Sequence, residues 1–384
     1  MTDGGAGASR VALEHCAGYD EHAVYTAVGR GLELLGGVAR FVSPGGKILL
    51  KPNLLVGSAP EQAVTTHPAV FGAVARRMRE AGAELSYGDS PGFGSPLGAA
   101  RRSGLVDVAE ALELAPADFN KGTHISFHEG NLAKQFVIAD GVLSADGIVS
   151  LSKLKSHGMT RLTGAVKNQF GCIPGVLKGE FHAKMPDMDQ FSQVLVDLTR
   201  FLRPRLYIMD GIVAMEGNGP RSGDPRRLSV LLLSTDPVAL DATACQLVNL
   251  EPALVPTNRW GEEWGLGTMR QVEVVGDSLA SLRASDFKVN RRPGSTTGWP
   301  GWMGDLLKNL VIPRPAVVPA NCTRCGTCVS VCPVDPKAVD FRNGRENPPR
   351  HDYSRCIRCY CCQELCPEHA IVIRTPLAGR LVHR

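Results

Sequence analysis

The sequence has no long hydrophobic run. None approaches the roughly 18–20 residues that a membrane-spanning helix needs, so no membrane anchor is expected. It has little net charge, +4 over 384 residues, too weak a bias to imply general binding to nucleic acid. Met1 to Arg10 is rich in Gly and Ala and lacks an apolar core, so a secretory signal is not expected and a cytoplasmic location is. Nucleotide-binding loops are missing too. Gly46-Lys47 is followed by Ile48 rather than by the rest of a G-x4-G-K-[ST] loop. Gly92-Phe93-Gly94-Ser95-Pro96-Leu97-Gly98 has one residue too many for G-x-G-x-x-G, and with Pro96 inside it reads as a loop. Ser90 stands outside any G-x-S-x-G elbow, which argues against a hydrolase nucleophile. With no site for NAD, FAD or ATP, electrons for redox chemistry would have to come from a protein donor.

What is present begins with an apolar share of 43%, enough for a packed core and too much for a mainly disordered chain. At about 150 residues per domain the length suggests two or three domains. The 12 cysteines are unevenly placed: Cys16, Cys172 and Cys245 are solitary, and nine lie between Cys322 and Cys366. A long chain without a signal is not a disulfide scaffold, so the cluster points to metal.

The spacing specifies which metal chemistry. Cys322-x2-Cys325-x2-Cys328-x3-Cys332-Pro333 is followed by Cys356-x2-Cys359-x2-Cys362-x3-Cys366-Pro367, and each is the full run used for a cubane iron–sulfur cluster. Structural zinc also uses Cys-x2-Cys pairs, but two complete runs ending in Pro argue against it. The segment resembles two-cluster ferredoxins. The resemblance implies crossed ligation: Cys322, Cys325, Cys328 and Cys366 hold one [4Fe–4S] cluster, and Cys356, Cys359, Cys362 and Cys332 the other. Cys361 belongs to neither run. Ala338–Phe341 and Ala370–Ile373 are strand-like runs after each Cys-Pro. Arg324, Arg355 and Arg358 sit beside the cysteines, where they would raise the potential of an anionic cluster or simply form a solvated face.

The remaining chain divides into residues 1–290, a linker over 291–315 and a tail over 377–384 around the cysteine-rich unit at 316–376. The linker is rich in Pro, Gly and Trp, with one short helix expected at Trp302–Leu310. Strand-like runs at Val11–His15, Lys47–Lys51, Glu84–Tyr87, Gly147–Leu151, Leu206–Met209 and Leu228–Leu233 alternate with helical patterns at His22–Leu35, Pro68–Ala81, Leu105–Leu114, Asp189–Phe201 and Pro237–Val248. That alternation predicts an α/β fold with a large, mainly parallel sheet, joined to a small α+β unit of bacterial-ferredoxin type.

Lysines are few and clustered. Five of the twelve fall between Lys153 and Lys184, together with His157 and His182, where even scatter would give about one. Lys153 and Lys155 end an apolar strand, the place where an open α/β sheet presents ligand-binding groups, so an anion site is favoured over a solvated basic face. Other polar groups stand at comparable positions: Lys51-Pro52-Asn53, Thr66-His67-Pro68 with Thr66 as the expected helix cap, Gly88-Asp89-Ser90-Pro91, Asp210 and Glu216-Gly217-Asn218-Gly219-Pro220.

These segments, with Lys153-Leu154-Lys155-Ser156-His157, Thr163–Gly171 and Asp236-Pro237-Val238-Ala239-Leu240-Asp241, resemble the signatures of the domain-of-unknown-function 362 family. Its members often carry a two-cluster ferredoxin unit, and the likeness spans nearly the whole chain. It implies an iron–sulfur protein, and a fold of lactate racemase type for the large domain. The expected function is a ferredoxin-dependent oxidoreductase in which two [4Fe–4S] clusters pass low-potential electrons to a small anionic substrate. The donor would be a protein, such as a ferredoxin or its reductase. His157, His182, Lys155 and Glu216 are the candidate catalytic residues. Lys51, Asn53, Lys153, Lys167, Asn168 and Asn218 are the candidate substrate-binding residues. The alternatives are an electron-transfer or docking protein without its own substrate, and a racemase-like enzyme with an accessory ferredoxin unit. Anaerobic reconstitution is expected to give about eight irons per chain with cubane absorption; substoichiometric iron with bound zinc would contradict the ligand sets.

Overall fold

A computed structural model describes residues 8–292 apart from 176, 179, 180, 182–184 and 186, and residues 310 and 312–377 apart from 343. His182, most of the linker and nearly all of the tail lie outside the described residues, as does the helix expected at Trp302–Leu310 except for its last residue.

The large domain is built on one mixed sheet. Its strands are β1 (Ser9–His15), β2 (Lys47–Pro52), β3 (Glu84–Tyr87) and β4 (Ala115–Pro116). A separate hairpin, β5 (Gly122–Ser126) and β6 (Gln135–Ala139), comes next; it precedes β7 (Gly147–His157), β8 (Arg161–Thr163), β9 (Leu206–Glu216), β10 (Asp224–Ser234) and β11 (Val272–Gly276). The order across the sheet is β11-β1-β10-β9-β7-β2-β3-β4, with β8 paired to β7. Pairing is parallel from β9 through β7, β2 and β3 to β4, and antiparallel where β10 meets β9 and β1. The expected α/β class holds.

Alternation along each strand feeds cores on both faces of the sheet. Ile48 and Leu50 join the core built on helices Glu21–Leu34 and Pro68–Glu80, whereas Leu49 between them joins the core of helix Met188–Leu202. Ala12 likewise joins the first core, whereas its neighbours Val11 and Leu13 join a third, built on helix Pro237–Leu247. A sheet covered on both faces explains why these runs are uniformly apolar. Helix starts are capped by local chemistry: Asp20, Asp187 and Asp236 each accept backbone N–H bonds from the first turn.

Three expectations are corrected. Thr66 does not cap its helix. Its hydroxyl accepts from Asn53 N and donates to Leu151 O, and His67 Nδ1 takes the Ala69 N–H instead. The glycine-rich loop is partly helical, because Pro96 occupies the first turn of Pro96–Arg102 behind a Ser95 cap, where proline's missing N–H costs nothing. Strand β7 runs six residues past Leu151 to His157, carrying Lys153 and Lys155 inside the sheet.

The small domain has two half-repeats. Its strand β12 (Arg314–Val317) pairs with β15 (Ile371–Arg374), and β13 (Val339–Asp340) with β14 (Arg350–His351). Arg324 and Gly326 in the first cysteine loop have φ of 61° and 84°, and Arg358 and Tyr360 in the second have 63° and 60°. The two loops therefore coil alike. Cys328, Cys332, Cys356, Cys362 and Cys366 make up most of the domain's core. So small a core is too thin to hold the fold by apolar burial alone.

Lys153 Nζ is 2.8 Å from Asp210 Oδ2, both side chains are fully buried, and the two residues are register partners across β7 and β9. Lys153→Met is expected to destabilise the protein by about 3–5 kcal/mol in urea unfolding, because it strands the Asp210 carboxylate. An unchanged midpoint would show that the pair contributes nothing.

Candidate functional site

The C-terminal ends of β2, β3 and β7 bring lysines together. Lys51 Nζ contacts Asp89 Oδ1 at 2.8 Å and donates to Asn168 Oδ1 at 3.2 Å. Lys153 is held by Asp210 and by the Tyr19 hydroxyl at 2.8 Å. Lys155 differs. It is fully buried, and among the described residues its ammonium donates only to the neutral oxygens of Asn53 (Oδ1, 2.9 Å) and Val64 (O, 2.7 Å). Burial, reinforced by the charges of Lys167 and Lys153, pushes its pKa down to about 7.

Beyond Lys155 opens a cavity of about 600 Å³. Lys167 and Lys178 also line it. The Lys167 ammonium lies 5.9 Å and 5.7 Å from the ring centres of Phe170 and Phe191, and Lys178 donates to Ser90 O. Burial lowers the Lys178 pKa to about 8. Among the described residues none of these three lysines has a carboxylate partner. Thr163 Oγ1, also in the lining, is buried without a hydrogen-bond partner. Phe119, Phe170 and Pro174 supply apolar wall.

The opposite wall belongs to the small domain: Ser330, Val331, Cys332, Pro333, Cys361, Glu364 and Leu365. His157 bridges the two sides. Its Nδ1 accepts from Met159 N at 3.0 Å, and its Nε2 lies 3.0 Å from Glu364 Oε1. Nδ1 is thus the unprotonated nitrogen and Nε2 carries the hydrogen. Burial, with Lys167 adding to it, lowers its pKa to about 4, so the ring is neutral at pH 7.

The cysteines group in the crossed pattern. Cys322, Cys325, Cys328 and Cys366 line one small cavity. The Cys328 thiol pKa is raised to about 12 by burial and then by Cys366, Cys325 and Cys322. Cys362 is raised by burial and then by Cys359, Cys356, Cys328 and Cys332. Among the described residues no three His, Cys, Asp or Glu are close enough to hold a single metal ion. Thiols spaced around a cavity suit a cubane, whose irons spread the ligands apart, and not one tetrahedral zinc. Backbone N–H groups of Ala338 and Ala370 point at Cys332 Sγ (3.4 Å) and Cys366 Sγ (3.3 Å), bonds that favour the anionic sulfur. The donor set fits iron–sulfur clusters.

Of the candidate residues, Asn53, Lys155, His157, Lys167 and Asn168 line the large cavity. Lys51 stands behind it, tied to Asn168 and Asp89, and Lys153 is tied to Asp210. Glu216 is engaged elsewhere, accepting from Lys288 N at 3.0 Å. Asn218 serves the domain interface. Its amide donates to Ile371 O, and Gln363 Nε2 donates to Asn218 O (2.9 Å) and Gly219 O (3.3 Å). Cys172 is fully buried in the large domain's core. Sequence reasoning gave no role to Lys178, although it lies in the lysine-rich window, nor to Asp241, whose carboxylate accepts the N–H groups of Ala165 and Val166 and so fixes the Lys167 turn. Glu364 and Gln363 carried no signal; only the fold brings them to the large domain. Tyr360 packs into the large domain's core, and a Cβ on Gly158 would stand 2.3 Å from Ile373 Cδ1, so the two domains meet closely.

Both domains match known families. A family described as a domain of unknown function (DUF362) matches residues 48–246, and a 4Fe-4S dicluster domain matches residues 314–367. The small domain is therefore an iron–sulfur, electron-transfer unit. The thylakoid-associated protein sll1697 of Synechocystis sp. (strain ATCC 27184 / PCC 6803 / Kazusa) is 39% identical over 261 residues, 67% of this chain and 79% of that protein. The lactate racemase apoprotein from Thermoanaerobacterium thermosaccharolyticum is 11% identical with a TM-score of 0.40, over 63% of this chain and 57% of that one. No helix among the described residues is long and apolar enough to cross a membrane.

Gln363 is fully buried, and its amide donates across the interface to Asn218 and Gly219. Gln363→Ala is expected to weaken domain docking by about 1–3 kcal/mol, read as faster proteolytic release of the small domain. Release at the wild-type rate would locate the docking energy elsewhere.

Proposed function

The chain belongs to the domain-of-unknown-function 362 family, and on that premise we propose that it is an iron–sulfur oxidoreductase acting on a small anion. Cys322, Cys325, Cys328 and Cys366 would hold one [4Fe–4S] cluster, and Cys332, Cys356, Cys359 and Cys362 a second. When bound, the clusters supply low-potential electrons one at a time, received from a protein donor. The observation that carries the reading is that Cys332 and three lysines without carboxylate partners line the same cavity.

The residues divide the work. Lys155, Lys167 and Lys178 would grip a carboxylate or phosphate, which gives the buried Lys155 and the half-buried Lys167 and Lys178 the negative charge they lack. Asn53 and Asn168, braced by the Lys51–Asp89 pair, orient Lys155. With its pKa near 7, Lys155 can also hand a proton to a reduced substrate at neutral pH, whereas neutral His157 keeps its Nε2 hydrogen toward Glu364. Phe119 and Phe170 exclude water around the reacting group.

Binding of inorganic phosphate or a small carboxylate to the purified protein tests this. Lys155 is charged below its pKa and neutral above it, so affinity should fall as pH rises through about 7. Binding should be accompanied by proton uptake near that pH. Lys155→Met should weaken binding by about tenfold or more and flatten the pH dependence, with clusters intact. Wild-type affinity in that variant would sink the assignment.

A further inference from the structure

The two cysteine sets differ in access. Cys325 is exposed and Cys322 half-buried, whereas Cys332, Cys356, Cys359 and Cys362 are all buried, with Cys332 facing the large cavity. The first set therefore reaches the protein surface at Cys325 and Cys322, and the second does not.

The surface around Cys325 has its own character. The Arg345 guanidinium stacks over Phe341 at 5.5 Å and stands 3.2 Å from where a Cβ on Gly326 would be. Arg324 is exposed and donates to Glu346 O at 2.8 Å. From the large domain, Arg221 donates to Leu365 O at 2.8 Å and lies within reach of the charges of Cys366, Arg102 and Cys325. Arg102 is exposed and holds Val56 O at 2.7 Å. Among the described residues none of these four arginines is in an ion pair; the nearby carboxylates are Glu346 and Glu368. Beside Arg102 stand two exposed apolar side chains, Phe93 at 56% and Leu97 at 44% exposure. Phe93 adjoins Gly94, whose Cβ would be 3.7 Å from Arg102 Nη2.

The geometry points to this arginine-rimmed face as the docking site for a small acidic one-electron carrier protein, with electrons entering at the Cys322–Cys366 set and leaving at the Cys332 set. Arginines around a small apolar patch steer and seat an acidic partner, and the exposed Cys325 places the electron-accepting group at the contact. Each transfer moves one electron: the carrier is oxidised and the protein reduced by one. The inference rests on the proposed oxidoreductase reading and adds the direction of flow and the class of donor.

A reduced acidic plant-type ferredoxin serves as the probe, with binding measured by titration and cluster reduction by stopped flow. Affinity and rate in the wild type should both fall steeply as salt rises from low to high ionic strength. The double variant Arg102→Glu/Arg345→Glu should lose about tenfold in both, whereas Arg345→Lys should stay near wild type. Reduction by methyl viologen radical, which needs no basic face, should be unchanged, and that outcome excludes misfolding of the double variant. Arg102→Glu alone, outside the cysteine loops, provides a second check in the same direction. Salt-independent reduction in the wild type, or a double variant that binds and accepts electrons like the wild type, would overturn the docking site. A failure of phosphate binding with salt-sensitive reduction intact would count against the cavity's role and leave this face standing.

Discussion

An ammonium group buried away from water must meet negative charge or give up its proton, and that constraint organises the site. Lys51 and Lys153 meet it with Asp89 and Asp210, and both pairs belong to the scaffold. Among the described residues, buried Lys155 has only neutral oxygens and half-buried Lys167 only aromatic faces. Apolar residues at these positions would cost the fold nothing in desolvation, so lysines left without carboxylates in a cavity make sense as groups that await a ligand's charge.

The second cysteine set adjoins these lysines. Cys332 of that set and its neighbour Cys361 form part of the cavity wall, and the helix Cys361–Glu364 reaches across to His157. The small domain is seated by Tyr360 in the apolar core and by the buried Gln363 amide. A domain held in this way keeps the second cysteine set at a fixed position beside the lysines.

Much of this was legible in the sequence because it depends on spacing. The cysteine runs pointed to cubane clusters, the resemblance to two-cluster ferredoxins implied crossed ligation, and strand and helix positions followed from apolar periodicity to within a few residues. Strand β7 was read too short, since Lys153 and Lys155 look like the end of an apolar run until Asp210 and Asn53 are seen to satisfy them. Lysines inside a sheet are a tertiary fact. So are Glu364, Gln363 and Tyr360, which sit among cluster cysteines in sequence and act on the large domain in space. Glu216 and Asn218 show the converse: both stand at the end of a strand in a polar motif, yet one is engaged by Lys288 and the other holds the domain interface.

The central claim is that an iron–sulfur cluster and a small anion share one cavity. Anomalous diffraction at the iron edge, from crystals of the anaerobically reconstituted protein grown with inorganic phosphate, tests it most directly. The account predicts iron within the ring of Cys332, Cys356, Cys359 and Cys362, and phosphate density on Lys155 Nζ in the cavity beside it. Iron confined to the Cys322, Cys325, Cys328 and Cys366 set, or phosphate bound only away from Lys155, would contradict it.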